Sequence, residues 1–261
     1  MAVVLEAKAL NKTFGAVTAA NNINVGIDQD SVVGLIGSNG AGKTTFINMV
    51  TGYLKPTSGT IRYLDRDITG MSPRQITRLG ICRSFQIPQL FGNLSVYENL
   101  QVGVGIAARS TRAMAGARGQ EREEIETLIE RFNLGGYRTH SAALLPEGTR
   151  KLLDIAMAVA GRPQLLLLDE PTSGVSAEEK FRLMDMVMTA LKLQGVTVLF
   201  VEHDMEIVSR YTHRILAFYE GRIIADGAPE QVLREAEVRR YVIGEHTPAH
   251  GGADSGATSH G

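Results

Sequence analysis

Short apolar runs, set off by glycine-rich turns and by stretches of helical spacing, recur along this chain. Ser31-Val32-Val33-Gly34-Leu35-Ile36 and Leu165-Leu166-Leu167-Leu168 are strand-sized and too uniformly apolar to have a wet face. Each predicts a strand buried on both sides. Thr197–Val201 reads the same way, residues 3–10 alternate loosely as a strand, and Thr18–Asp28 has similar β character. Thr60–Leu64 follows the turn at Pro56–Gly59, and Ile215–Tyr219 with Arg222–Ala225 predict a hairpin around Glu220-Gly221. Helices are expected at Phe46–Thr51, Lys151–Ala160 and Ala177–Leu193, and at Glu121–Phe132, where Ile125, Leu128, Ile129 and Phe132 share one face. Strands alternating with helices imply an α/β fold with a mostly parallel sheet. The helical block at about 88–160 reads as an inserted subdomain. Within it, the Gly-, Ala- and Arg-rich stretch Gly103–Gly119 has no clear assignment, and no internal repeat or heptad run is present.

Composition narrows the function classes. The 261 residues suit one large domain or two closely fused ones, and 44% apolar content suffices for a sizeable core. The 27 basic and 28 acidic side chains leave a formal charge of −1, which gives no electrostatic case for nucleic acid. The single cysteine, Cys82, cannot form an internal disulfide and is read as a buried hydrophobe in a reducing compartment. The N-terminus does not read as a signal peptide, and no apolar run approaches the ~18 residues a membrane helix needs. The chain is therefore expected to be soluble and to reach any membrane through a partner. Residues 245–261, rich in Gly, Ala, Ser and His, are expected to be a disordered tail, and His246, His250 and His260 are not taken as metal ligands.

Gly37-Ser38-Asn39-Gly40-Ala41-Gly42-Lys43-Thr44 matches the phosphate-loop pattern G-x-x-x-x-G-K-[ST] at every fixed position, with a strand before it and a helix after it. Glycines let consecutive backbone N–H groups face one anion, and the helix N-terminus adds unsatisfied donors. Lys43 is expected on the β- and γ-phosphates, the Thr44 hydroxyl on Mg²⁺, and Thr45 near the α-phosphate. Alone, the motif says only that a nucleotide phosphate binds. The second signal is Asp169-Glu170 at the end of a buried apolar strand, where α/β sheets place ligands. Asp169 is expected to hold Mg²⁺, mainly through its waters, and Glu170 to act on the attacking water.

Residues 165–174, Leu-Leu-Leu-Leu-Asp-Glu-Pro-Thr-Ser-Gly, resemble the Walker B and D-loop region of ATP-binding cassette (ABC) proteins. Phe85-Gln86 with Leu90-Phe91 and Leu94–Leu100 is similar to that family's Q-loop and the start of its helical subdomain. Val201-Glu202-His203-Asp204-Met205 resembles its switch-histidine region, and Lys12-Thr13-Phe14-Gly15 its A-loop. The resemblance spans about residues 3–244. It implies a P-loop (RecA-like) core with an N-terminal antiparallel β subdomain and an inserted α-helical subdomain, an ABC ATP-binding domain over 1–244, and ATP hydrolysis with Mg²⁺. Glu170 inherits the role of catalytic base, with His203 and Gln86 beside it. Gln86 also joins Thr44 and Asp169 at the metal, and Phe14 stacks on adenine.

In this family two cassettes dimerise head to tail, and a signature motif, typically Leu-Ser-Gly-Gly-Gln, caps the ATP held by the other subunit. Here that region is Leu145-Pro146-Glu147-Gly148-Thr149, before a helix expected at Arg150–Ala160. Leu145 and Gly148 fit the motif. Pro146 brings neither the hydroxyl nor the N–H of the usual serine, Thr149 replaces the glutamine, and Ser176 stands at the usual D-loop aspartate. Glu147 adds a negative charge where phosphate would dock. The chain's own half-site reads as complete and the one it lends as weak, which suits a heterodimer with a second ATPase subunit, a homodimer remaining open. The Phe-Gln…Leu-Phe stretch, residues 202–205 and the ending Arg239–Gly244 look most like ATPases of branched-chain amino-acid importers. Cassettes for urea or amide import and for lipopolysaccharide export share many of these features. The resemblance implies integral-membrane permease subunits, a periplasmic binding protein acting indirectly, no nucleic acid, and a peripheral position on the cytoplasmic face of the membrane. A chromosomal or translational ABC protein is disfavoured by the short interval between the two Walker motifs and the single cassette. A soluble kinase or GTPase is disfavoured by the lack of a guanine-reading Asn-Lys-x-Asp and by the Q-loop and switch-histidine segments, which such a protein would carry only by coincidence.

Overall fold

The computed structural model describes residues 2–110 and 117–244. The tail at 245–261, with its histidines, lies outside them. Two sheets organise the chain. The first is antiparallel, in the order β2-β1-β4-β5, from β1 (Val3–Phe14), β2 (Val17–Asp28), β4 (Ser58–Tyr63) and β5 (Arg66–Asp67). The second, in the order β10-β9-β3-β8-β7-β6, is formed by β3 (Val32–Gly37), β6 (Ile81–Ser84), β7 (Leu165–Asp169), β8 (Thr197–Val201), β9 (Arg214–Tyr219) and β10 (Arg222–Gly227). Its neighbours run parallel except for the β9–β10 hairpin.

The uniformly apolar strands of this second sheet separate two packed layers by strict alternation. Val32, Leu166, Leu168, Val198, Phe200, Ile215 and Ala217 face one core, which they share with α3 (Val96–Ser110), α4 (Ala117–Arg131), α5 (Glu147–Ala160), α6 (Ala177–Lys192) and α7 (Met205–Tyr211). Val33, Leu35, Leu165, Leu167, Leu199, Leu216 and Phe218 face the other, shared with α1 (Lys43–Val50) and the antiparallel sheet. A period of two thus puts every second residue into a different core, which is why these strands carry no polar face. Cys82 is buried, and burial pushes its thiol up to about 11.

Several boundaries differ from the sequence reading. β1 runs on to Phe14, because β2 and β4 pair with it along most of its length. α1 begins at Lys43 rather than Phe46, since the phosphate loop turns directly into its first turn. α2 (Pro73–Arg78), opened by a Ser72–Gln75 capping box, was not foreseen, nor was the edge strand β6. The stretch without assignment enters α3, where Gly103 replaces a side chain at a helix crossing. A Cβ there would stand 3.4 Å from the Met157 carbonyl and 3.5 Å from Ala160 of α5. The glycine that weakens the helical signal is the one that lets α3 and α5 approach.

Phe46 is fully buried between the sheets, with its ring 5.8 Å from that of Phe218. Phe46→Ala is expected to cost about 3–5 kcal/mol through lost burial and the cavity left behind, read as a lowered midpoint in chemical denaturation.

Candidate active site

β3 ends at Gly37, whose φ is +154°, and a Cβ at that position would lie 2.6 Å from the Phe218 carbonyl oxygen. Gly42 has φ +106° and caps α1, and a Cβ there would lie 2.8 Å from the Ala19 carbonyl oxygen. Only glycine fits these two close approaches, so the loop between them is pinned at both ends. The first helical bond of α1 is Phe46 N–H to Gly42 O. The N–H groups of Lys43, Thr44 and Thr45 precede it and are the unsatisfied donors of a helix start. Ser38, Asn39, Gly40 and Thr44 are exposed, Thr45 is half-buried, and Ala41 is buried. Lys43 is buried, and its ammonium donates to the carbonyls of Gly37 (2.6 Å) and Ser38 (3.1 Å). Burial lowers its pKa, while Glu170 and Asp169 oppose that shift.

β7 delivers the acidic pair. Asp169 Oδ2 accepts from Arg83 at 2.5 Å, and the same guanidinium donates to Asn48 Oδ1 at 2.7 Å, tying β6, β7 and α1 together. Glu170 adopts φ +49°, a left-handed conformation rare for a residue with a Cβ. Its backbone is held on both sides. Its N–H donates to Val201 O at 3.0 Å, and its carbonyl accepts from Ser173 N (3.1 Å) and from Lys151 Nζ (3.0 Å). Its carboxylate bridges two groups. Gln86 Nε2 donates to Oε2 at 2.7 Å, and His203 Nε2 stands 3.0 Å from Oε1.

His203 follows β8 and is seated through its backbone. Its N–H donates to Glu202 Oε2 at 3.1 Å, while Glu202 Oε1 accepts from Thr172 N (2.9 Å) and Thr172 Oγ1 (2.6 Å). Asp204 caps α7 through the N–H groups of Glu206 and Ile207 and pairs with Lys180. Gln86 is placed by the loop after β6. Asp154 of α5, buried and pushed up to about 6 by that burial, accepts from Phe85 N (3.1 Å) and Gln89 N (2.9 Å) on either side of it.

The remaining candidates lie apart from this cluster. Phe14 ends β1 with half of its surface exposed and the Lys12 ammonium 4.9 Å from its ring centre. Leu145 is buried in the helical-subdomain core, so its side chain packs rather than projects. α5 begins at Glu147, not at Arg150 as expected, with Pro146 as its N-cap and Arg150 N–H to Pro146 O as its first helical bond. Gly148 and Thr149 thus sit in the first turn, where backbone donors are unsatisfied. The charge expected of Glu147 is offset by Arg150, 2.5 Å away. Ser176, at the D-loop aspartate position, caps α6.

Sequence reasoning missed Arg83, Lys151, Asp154 and Glu202. The available signal lay in α5, where Lys151 and Asp154 fall in phase with Ile155 on the buried face, positions at which an unpaired charge is costly. The Thr44 hydroxyl, Gln86 amide carbonyl and Asp169 carboxylate all offer oxygen, the donor type a hard cation such as Mg²⁺ takes. Among the described residues no group of three or more His, Cys, Asp or Glu forms a metal site by itself.

A glycine-pinned anion loop beside a carboxylate clamped by an amide and an imidazole defines a nucleotide-binding α/β cassette. The ABC transporter family profile matches residues 20–173. The high-affinity branched-chain amino acid transport ATP-binding protein LivG of Escherichia coli is 34% identical over 250 residues, 93% of this chain and 98% of that protein. BraF of Pseudomonas aeruginosa, with the same description, is 36% identical over 93% of this chain and 98% of its own length. A crystal structure of the ADP conformation of an ATP-binding cassette of an ABC transporter superposes with a TM-score of 0.80 at 28% identity, covering 94% of this chain and all of that one. The chain belongs to the ATP-binding subunits of ABC transporters, a family of ATP hydrolases. No helix among its described residues is long and apolar enough to cross a membrane.

Lys43→Ala is expected to weaken ATP binding by about 10–100-fold, the loss of one or two charge-assisted hydrogen bonds, with the fold kept. Titration with a fluorescent ATP analogue, beside a circular-dichroism melt, checks both.

Proposed function

We propose that this chain binds Mg²⁺-ATP on residues 37–45 with adenine against Phe14, and that Glu170 is the base that takes a proton from the attacking water. The observation that carries the reading is the Glu170 carboxylate held between Gln86 and His203, one residue beyond Asp169 and on the same sheet edge as Lys43. A carboxylate so oriented accepts a proton along a fixed direction, and the imidazole beside it offers a donor for the charge that develops on the γ-phosphate. Thr44, Gln86 and Asp169 would hold Mg²⁺, which would supply neutralisation of phosphate charge. In such a site Arg83 gives up part of its hold on Asp169, and Lys43 moves from its own loop carbonyls to phosphate. Glu170→Gln should keep ATP binding and reduce hydrolysis by about 10²–10⁴-fold, the usual weight of a general base. Turnover close to wild type would refute the role.

We further infer that the transporter it powers imports branched-chain or related amino acids. The branched-chain amino acid transport role of LivG and BraF and the near-complete coverage of both chains support this. In that reading the chain works on the cytoplasmic face of the membrane with integral permease subunits, a periplasmic binding protein and a second, different ATPase subunit. A cleft of about 570 Å³ between the Gln86 loop and the helical subdomain, lined by Tyr53, Phe85, Gln89, Ile106 and Met157, suits the permease segment that receives the motion. Exposed Ile87 and Phe91 lie on the adjoining Gln86 loop.

The heterodimer rests on Pro146. At the N-cap of α5 it offers no hydroxyl to a phosphate across a dimer interface, so a partner with a fuller signature is the better cap for ATP bound here. Pro146→Ser should raise self-association and turnover of the chain alone by several-fold. Unchanged turnover and unchanged partner preference would remove the argument.

A further inference from the structure

Helix α5 carries two buried charges one turn apart, Lys151 and Asp154, and neither belongs to the proposed chemistry. An ammonium has three donors and no acceptor. Lys151 directs its bonds to the Glu170 carbonyl (3.0 Å), the Gln86 carbonyl (3.3 Å) and Ser173 Oγ (2.9 Å). Those acceptors come from three places: the residue after Walker B, the loop after β6, and the turn leading to α6. Asp154 holds the ends of the Gln86 loop through Phe85 N and Gln89 N. One helical face therefore grips the Gln86 loop at three backbone positions and the Glu170 peptide at one.

The Glu170 peptide is where such a grip matters. A left-handed φ on a residue with a side chain persists only when its surroundings over-determine it. With Ser173 N and Lys151 Nζ on its carbonyl, both acceptor positions are filled. Loss of the ammonium leaves a buried carbonyl with one partner, frees the Gln86 carbonyl, and lets the side chain that must meet water turn away.

We propose that Lys151 and Asp154 are positioning residues through which α5, the helix whose first turn carries Gly148 toward a partner cassette, sets Glu170 and Gln86 together. A shift of α5 on dimer closure moves both groups as one unit, so the carboxylate is aligned only when the helix is docked. The inference rests on the roles proposed for Glu170 and Gln86.

Backbone amide exchange in the full-length chain tests the link without requiring turnover. Lys151→Met should raise exchange at Ser173, Phe85 and Gln89 by at least about 10-fold, the loss of a charge-assisted bond, and leave exchange at residues 38–45 unchanged. Asp154→Asn should do the same at Phe85 and Gln89. In the assembled transporter, Lys151→Met should lower kcat by about 100-fold, as a misplaced catalytic group does, with ATP affinity within about threefold on the same reasoning. Lys151→Arg, which keeps the charge and most of the donors, should recover most of that loss. Exchange unchanged at Ser173 and the Gln86 loop overturns the proposal, as does arginine no better than methionine, or loss of ATP binding in step with kcat. Should Lys151→Met fail to fold, Asp154→Asn with Lys151→Arg decides by the same readouts. A Glu170→Gln protein that still turns over would sink the catalytic reading while leaving the exchange result intact.

Discussion

A parallel sheet gathers the carboxyl ends of its strands on one edge, and the chemistry of this chain hangs from that edge. β3 runs out into the phosphate loop at Gly37, β7 ends at Asp169, β8 leads through Glu202 to His203, and β6 leads to Gln86. In space these strands are consecutive, β3-β8-β7-β6, although residues 37, 86, 170 and 203 are far apart along the chain. The strand order, with its crossovers, converts four distant segments into one cluster. The adenine-facing candidate, Phe14, comes from the other sheet.

On that edge the backbone is held in conformations the side chains would not choose. Gly37 and Gly42 are glycine because neighbouring main chain comes too close for a Cβ. Glu170 has no such freedom and takes φ +49° regardless, a cost of order 1–3 kcal/mol. Lys151, Ser173 and Val201 offset it by leaving no backbone group of that residue unpaired. Charges are treated alike. Lys43 folds onto its own loop, Arg83 onto Asp169, and Glu202 onto Thr172. Each of these charges already has a partner within the protein, so under the proposed function exchange of partners rather than burial of a naked ion accompanies binding.

The parts visible in the sequence were those with a fixed local geometry. The phosphate loop, the apolar strands and the hairpin at Glu220-Gly221 depend on neighbours in sequence and were read correctly, apart from a few residues at each boundary. What was missed depends on tertiary partners. β6 is a short edge strand that exists because β7 pairs with it. α3 hides behind Gly103, whose purpose is contact with α5. Lys151 and Asp154 look like surface charges until the helix phase places them inward, and Arg83 gives no local sign that it reaches Asp169 or Asn48.

The same distinction bears on the altered signature. Read as letters, Leu145–Thr149 has lost its serine and glutamine and gained an acid. Read as structure, the acid is paired with Arg150, and the helix begins three residues earlier than expected, so Gly148 lies within its first turn. Proline suits the start of a helix because its missing N–H removes no intrahelical bond there. What the substitution removes is the hydroxyl and the N–H of residue 146, while the donors of the following helix start and the dipole remain. In the proposed dimer the half-site this chain lends would be weakened rather than abolished, and its own would depend on the α5 contacts to Glu170. The proposed half-sites thus meet in the first turns of one helix, with Pro146 exposed at its N-cap and Lys151 and Asp154 facing in.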